Sequence, residues 1–108
     1  MRKFDSVTHK NDELTHILSF LKSNKQYLQS KFHVKEIGVF GTMVRGEQSN
    51  DSDIDILVKF DKYHKDFLNY MRLKHYLEKI FNKKVDLVTK SAIKSQIKEE
   101  ILNEVIYV

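Results

Sequence analysis

The amino-acid sequence predicts a small mixed α/β (α+β) fold, in which helices pack on a β-sheet of three or four strands. The chain of 108 residues has room for a single domain, taken as residues 1–108. Its composition, 41% hydrophobic and 11% aromatic, is typical of a folded protein. Segments with apolar residues at helical spacing alternate with short β-branched runs, in the order helix, strand, strand, helix, strand, helix.

Three segments carry apolar residues three or four positions apart, which predicts amphipathic helices over residues 12–30, 64–81 and 91–106. Asn11 or Asp12 is the expected N-cap of the first helix, because its side-chain oxygen can accept hydrogen bonds from the first turn. One face of each helix is expected to pack on the sheet. The residues expected on these faces are Leu14, Ile17, Leu18, Leu21 and Leu28, then Phe67, Met71, Leu73, Leu77, Ile80 and Phe81, and finally Ile93, Ile97, Ile101 and Val105.

Three short apolar segments predict β-strands over residues 34–40, 53–60 and 84–88. Residues 42–50, between the first two strands, are polar and are expected to form one helical turn and a loop. Side chains alternate between the two faces of a strand. The second strand should therefore direct its aspartates away from its apolar face, which consists of Ile54, Ile56, Val58 and Phe60.

Two aspartates of the second strand stand two positions apart, so Asp53 and Asp55 point the same way. Carboxylates on an apolar strand repel each other and lose hydration, and a bound divalent cation relieves both effects. An edge strand with solubilising charges is the alternative, but the segment is too apolar to favour it. Asp86, in the third strand, would by itself indicate an exposed position. Beside the pair it favours a third carboxylate that completes a two-metal site.

The three glycines of the chain, Gly38, Gly41 and Gly46, fall within nine residues, which indicates a backbone that a ligand approaches closely. Gly41-Thr42 follows a strand and is expected to open a short helix, whose free N–H groups would suit a phosphate. A simple tight turn is the alternative for this pair. Arg45 is the nearest fixed cation, and it could either contact a phosphate or pair with an aspartate.

Several classes of protein are excluded or disfavoured. The absence of cysteine excludes disulfides, thiolate zinc sites and cysteine nucleophiles. No P-loop pattern occurs, and the Asp51-x-Asp53-x-Asp55 spacing lacks the glycine and glutamate of a calcium loop. The net charge of +4 fits a lysine-rich solvated surface or attraction to an acidic partner, and direct nucleic-acid binding is not expected. Without a membrane-length apolar run or a signal segment, the expected location is the cytoplasm.

Together these residues resemble the pattern of the minimal nucleotidyltransferases (MNT) of the DNA polymerase β superfamily. That pattern is a Gly-Ser pair, an Asp-x-Asp motif at a fixed distance and a third carboxylate on a later strand; its counterparts here are Gly41-Thr42, Asp53-x-Asp55 and Asp86. The chain is most similar to the MNT antitoxins encoded beside HEPN toxins in bacteria and archaea. Thr42 replaces the usual serine but keeps its hydroxyl, and Val44 replaces a smaller residue.

The resemblance implies an enzyme that moves AMP from ATP to a hydroxyl and releases pyrophosphate. The implied cofactors are two Mg²⁺ ions, with Mn²⁺ as a substitute, and ATP is the substrate. The implied catalytic and metal-binding residues are Asp53, Asp55 and Asp86, with Asp86 also as general base, and the implied nucleotide contacts are Gly41, Thr42 and Arg45.

The resemblance also implies a partner. The acceptor would be a tyrosine of a cognate HEPN toxin, which adenylylation silences within a complex of the two proteins. A non-catalytic antitoxin that neutralises its toxin by covering it is the rival interpretation, and a small metal-dependent nuclease is a weaker third. Three buried aspartates favour the enzyme, because a protein that only masks its toxin has no need of them.

Overall fold

The computed structural model describes residues 9–49, 51–64 and 66–108. Asn50, the last residue of the predicted segment 42–50, lies outside the described residues. Within the described ranges the chain forms five α-helices, one short 3-10 helix and four β-strands. In chain order these are α1 (His9–Ser23), α2 (Lys25–Phe32), β1 (Val34–Phe40), α3 (Thr42–Arg45), β2 (Ile54–Phe60), α4 (Phe67–Phe81), β3 (Val85–Thr89), the 3-10 helix (Lys90–Ala92), α5 (Ser95–Glu104) and β4 (Ile106–Tyr107).

The four strands form one mixed sheet in the order β3-β2-β1-β4. Strand β1 pairs antiparallel with β2 and β4, whereas β2 and β3 run parallel. The predicted mixed α/β (α+β) class is therefore confirmed. Strand β2 has a neighbour on each side, so the interpretation of the aspartate segment as an edge strand is wrong.

The hydrophobic core lies between one face of the sheet and helices α1 to α4. Every second side chain of β2 enters this core and is at most 4% exposed, as its alternation predicts. Helix α5 contributes no buried residue. The buried apolar residues of these helices are Ile17 and Leu21 in α1, Leu28 and Phe32 in α2, Met43 in α3, and Leu73 and Leu77 in α4.

The predicted helix over residues 12–30 is two helices. Helix α1 runs from His9, so neither Asn11 nor Asp12 is its N-cap. The helix is interrupted at Asn24, whose side chain donates a hydrogen bond of 2.9 Å to the carbonyl of Phe20. Asparagine competes in this way with continued helical bonding, and α2 starts at the next residue.

The predicted helix over residues 91–106 is also wrong at both ends. A 3-10 turn precedes α5, and the chain leaves the helix after Glu104 to form β4. The two residues of β4 pair with β1 beside Gly38. A Cβ atom on Gly38 would lie 2.7 Å from the carbonyl oxygen of Ile106, so glycine is what allows this close pairing. Ile97, predicted to face the core, is 49% exposed.

Helix α4 starts three residues later than residues 64–81 would require. Asp66 is its N-cap, and the Asp66 side chain accepts a hydrogen bond of 2.8 Å from the N–H of Asn69. Phe67 and Ile80, predicted as core residues, are 75% and 43% exposed because they lie outside the stripe that meets the sheet. No helix in the described part of the chain is both long and apolar enough to cross a membrane.

Candidate active site

Three carboxylates meet at one end of the sheet. Asp55 of β2 and Asp86 of β3 are partners in the parallel register, so they lie side by side on the face opposite the core. Asp53 directly precedes β2 and acts electrostatically on Asp55. Asp55 is partly buried, whereas Asp53 and Asp86 are exposed, so the expectation of three buried aspartates is wrong for these two. The structure thus brings together the three carboxylates that the sequence analysis selected.

The cluster is electrostatically unbalanced. The pKa of Asp55 is raised from 3.8 to about 6, first by burial and then by the charges of Asp86 and Asp53 and a hydrogen bond to Asp86. A backbone hydrogen bond from Thr42 acts in the opposite direction. Among the residues that the structure describes, no basic side chain forms an ion pair with these aspartates. The site therefore has a local excess of negative charge.

Gly41 forms the turn that links β1 to α3 and lies directly against Asp55. Its φ of 85° and ψ of −153° belong to a region that is essentially restricted to glycine. A Cβ atom at this position would overlap the Asp55 carboxylate. The clustered glycines thus do mark a close approach, and the group that approaches Gly41 in the structure is the protein's own carboxylate.

Glu104, the last residue of α5, is a member of the site that the sequence analysis missed. Its Oε2 accepts a hydrogen bond of 2.8 Å from the N–H of Gly41, and its Oε1 accepts one of 2.7 Å from Arg45 Nη1. Arg45 Nε also donates to Glu47 Oε1 at 2.9 Å. Arg45 thus pairs with glutamates, not with an aspartate. No local motif marks Glu104, which lies 63 positions from Gly41 along the chain.

Helix α3, which follows Gly41, has a single turn. The carbonyl of Gly41 accepts the N–H groups of Val44 and Arg45 at 3.1 and 3.2 Å, and Gly46 ends the helix with a φ of 74°. Met43 anchors the turn because it is only 1% exposed. The predicted short helix after Gly41 is confirmed, and the backbone N–H of Thr42 at its start donates a hydrogen bond to the Asp55 carboxylate.

Adjacent strands of a mixed sheet here present carboxylates beside a glycine turn, which is the arrangement that the resemblance to the nucleotidyltransferases implied. The sequence profile of the nucleotidyltransferase domain family matches residues 21–108, and the chain belongs to this family. The resemblance noted from the sequence and the enzyme class that it implied are thereby confirmed.

Named relatives place the chain more closely. The protein adenylyltransferase MntA of Thermococcus cleftensis is 47% identical over 95 residues, which cover 88% of this chain and 95% of the relative. A protein of Methanocaldococcus jannaschii, assigned by name to the protein adenylyltransferases, is 44% identical over 97 residues, with 88% and 97% of the two chains covered.

Solved structures agree with this placement. A structure described as a minimal nucleotidyltransferase has a TM-score of 0.68 at 32% identity, covering 82% of this chain and 93% of its own. A toxin–antitoxin complex with AMP-PNP has a TM-score of 0.65 at 22% identity, covering 79% of this chain and 69% of the solved chain. The second likeness supports the fold alone.

Proposed function

We propose that this nucleotidyltransferase moves AMP from ATP to a hydroxyl of a partner protein, a tyrosine of a cognate HEPN toxin, and thereby acts as an antitoxin. The observation that carries the proposal is the register pairing of Asp55 with Asp86, with Asp53 beside them and the pKa of Asp55 raised. The names of the relatives support adenylyl transfer to protein. The kind of partner is proposed by analogy with the solved toxin–antitoxin complex, whose fold is similar.

The donor set suits magnesium. Asp53, Asp55 and Asp86 offer only carboxylate oxygens, the ligands that Mg²⁺ and Mn²⁺ prefer, and their excess negative charge is what a cation would neutralise. These three residues would hold two ions, with Asp53 and Asp55 on the triphosphate side. When bound, the metals would supply charge stabilisation for an in-line displacement at phosphorus.

The protein's own groups have distinct roles in the proposed transfer. Asp86, exposed at the edge of the cluster, accepts the proton of the acceptor hydroxyl as that oxygen attacks the α-phosphate of ATP. The bond from the α-phosphorus to the bridging oxygen breaks, and pyrophosphate leaves. The turn at Gly41 and Thr42 holds the leaving phosphates, while Arg45, fixed by Glu104, maintains the shape of that turn.

We expect the acceptor hydroxyl to arrive on another molecule. Asp53 and Asp86 are exposed, so the carboxylate end of the sheet is accessible to a partner protein. We expect a stable complex in the cytoplasm, without direct binding of nucleic acid.

Intact-mass spectrometry tests the proposal. The protein is incubated with its HEPN partner, ATP and Mg²⁺, and the partner is expected to gain the mass of one or more AMP units. Asp86→Asn should abolish the gain, because a metal ligand and the proposed base are lost together. Asp51→Asn is the matched control, since Asp51 is an exposed aspartate outside the cluster. No mass gain with the wild type, or an unchanged gain with Asp86→Asn, would overturn the assignment.

One observation favours the masking antitoxin as the second candidate. The Gly41 N–H, an expected phosphate donor, is already bonded to Glu104. If the protein only covers its toxin, complex formation and neutralisation will persist with Asp86→Asn, and the wild type will add no mass to the partner. The same mixture, measured for toxin activity and for mass, therefore separates the two candidates.

A further inference from the structure

A second group of metal-ligating side chains lies at the far end of the sheet. It consists of His33 between α2 and β1, Asp61 just after β2, and His64 in the following turn. One ligand atom from each residue lies within 4.8 Å of those of the other two, and all three residues are partly buried. Strand β1 separates this cluster from the three aspartates by about 23 Å, the length of seven residues of extended strand.

The backbone fixes the positions of the three residues before any ligand binds. The N–H of Asp61 donates to the carbonyl of His33 at 3.0 Å, which continues the pairing of β1 with β2. The side-chain amide of Asn69, buried in α4, donates to the carbonyl of His64 at 3.1 Å and to that of Phe32 at 2.8 Å. One buried amide thus ties both histidine-bearing segments to α4.

Two stacked imidazole rings lie beside a carboxylate. The rings of His33 and His64 stack with centroids 3.5 Å apart and planes 9° from parallel. His64 Nδ1 lies 2.7 Å from Asp61 Oδ1. A neutral imidazole is the form that ligates a metal ion.

We propose that His33, Asp61 and His64 form a binding site for Zn²⁺ or a similar transition-metal dication. Imidazole suits zinc, copper and nickel, whereas the all-carboxylate cluster at the other end of the sheet suits magnesium. The ion takes the place of the hydrogen between His64 Nδ1 and Asp61. In the neutral ring that hydrogen moves to Nε2, and in the imidazolium one proton leaves to solvent.

Binding requires a small local movement. Zinc bonds of about 2.0–2.1 Å in a tetrahedral site bring ligand atoms to roughly 3.3 Å from one another. The His33 ring must therefore rotate out of the parallel stack towards the other two ligands. The side chains of Asp61 and His64 are 45% and 40% exposed, so solvent can complete the coordination. The bound ion would join the α2–β1 junction to the β2–α4 turn.

Calorimetric titration with ZnCl₂ tests this site in protein carrying Asp55→Asn and Asp86→Asn, which weakens any binding at the other cluster. One zinc ion per chain is expected. His33→Asn should weaken the affinity at least tenfold and still fold, because asparagine tolerates the left-handed backbone of His33, whose φ is 60°. His64→Gln should have the same effect on affinity, and a thermal melt in EDTA checks that both variants are folded.

His75→Asn is the matched control, because His75 is an exposed histidine of α4 outside the cluster. It should bind zinc as the parent protein does, and zinc should raise the Tm of both. The parent failing to bind zinc, or binding that survives both His33→Asn and His64→Gln, would overturn the proposal. Failure of this site would leave the proposed AMP transfer unaffected, since the two sites share no residue.

Discussion

Asp55 is both a residue of the central sheet and a proposed metal ligand. It is partly buried, it has Asp86 beside it in register, and it lies against Gly41. Burial first, and then the neighbouring carboxylates, raise its pKa to about 6. The folded, metal-free protein therefore binds this proton more tightly than the unfolded chain does. The resulting stabilisation is complete below about pH 4 and is lost as the pH rises through 6.

Asp55→Asn should consequently stabilise the metal-free protein at pH 8, by about 1–2 kcal/mol once partial solvent exposure is allowed for. At pH 4 the difference should be much smaller, because Asp55 in the folded protein is then largely protonated and neutral, as asparagine is. Thermal melts in EDTA at pH 4, 6 and 8 measure the trend, with Asp51→Asn as a control that should show none. A wild-type protein as stable as Asp55→Asn at pH 8 would show that burial and carboxylate repulsion do not destabilise the ionised form of Asp55.

Gly41 and Gly46 allow backbone strain to be separated from overlap with Asp55. Both have positive φ, but a Cβ atom at Gly46 meets nothing within 4 Å, whereas one at Gly41 overlaps the Asp55 carboxylate. We expect Gly46→Ala to destabilise the fold by about 1 kcal/mol and Gly41→Ala by about 3 kcal/mol or more. Urea denaturation of the two variants measures the difference. Equal losses in the free energy of unfolding would mean that the Asp55 side chain moves away from the new Cβ atom at no energetic cost.

At the scale of elements, the end of α5 is coupled to the start of α3. Glu104 bridges Gly41 and Arg45 with both of its carboxylate oxygens, and its side chain is only 23% exposed. A charge-assisted hydrogen bond to a backbone N–H is stronger than a neutral one. The glycine turn is therefore held in position by a helix that contributes little to the core.

Glu104→Gln should loosen this turn. We expect the KM for ATP to rise about three- to tenfold, equivalent to roughly 0.7–1.4 kcal/mol, with a smaller change in kcat. Glu100→Gln, an exposed change one turn earlier on α5, is the matched control. Steady-state kinetics of AMP transfer supply both parameters. A lower KM with Glu104→Gln would instead mean that the carboxylate competes with the phosphates for the Gly41 N–H.

The elements differ in how far the sequence could predict them. Strand β2 was predictable because alternation is a local property, and it placed Ile54 in the core and Asp55 on the other face. The break at Asn24 depends on one side-chain hydrogen bond, which an apolar period does not reveal. Strand β4 has two residues and pairs only because Gly38 leaves room for it, so no periodicity could have shown it.

At the scale of the whole molecule, the sheet separates two kinds of ligand chemistry. Carboxylates gather where β2 and β3 begin, and imidazoles gather beside the other end of β2. The three aspartates were predictable from the sequence. Asp53 and Asp55 stand two positions apart in an apolar segment, and Asp86 lies in a similar apolar segment that predicts another strand. The contact of Glu104 with Gly41 and the stacking of His33 on His64 join residues that are far apart in the sequence. Only the folded structure reveals these contacts.

The scarcity of glycine has a practical consequence for spectroscopy. The chain has three glycines, and labelling them selectively with ¹⁵N would give an NMR spectrum of three backbone amide signals. The Gly41 signal would report on the carboxylate that holds its N–H, Gly38 on the pairing with β4, and Gly46 on the end of α3. A titration with nucleotide could therefore be followed from inside the candidate site, with neither a crystal nor a full resonance assignment.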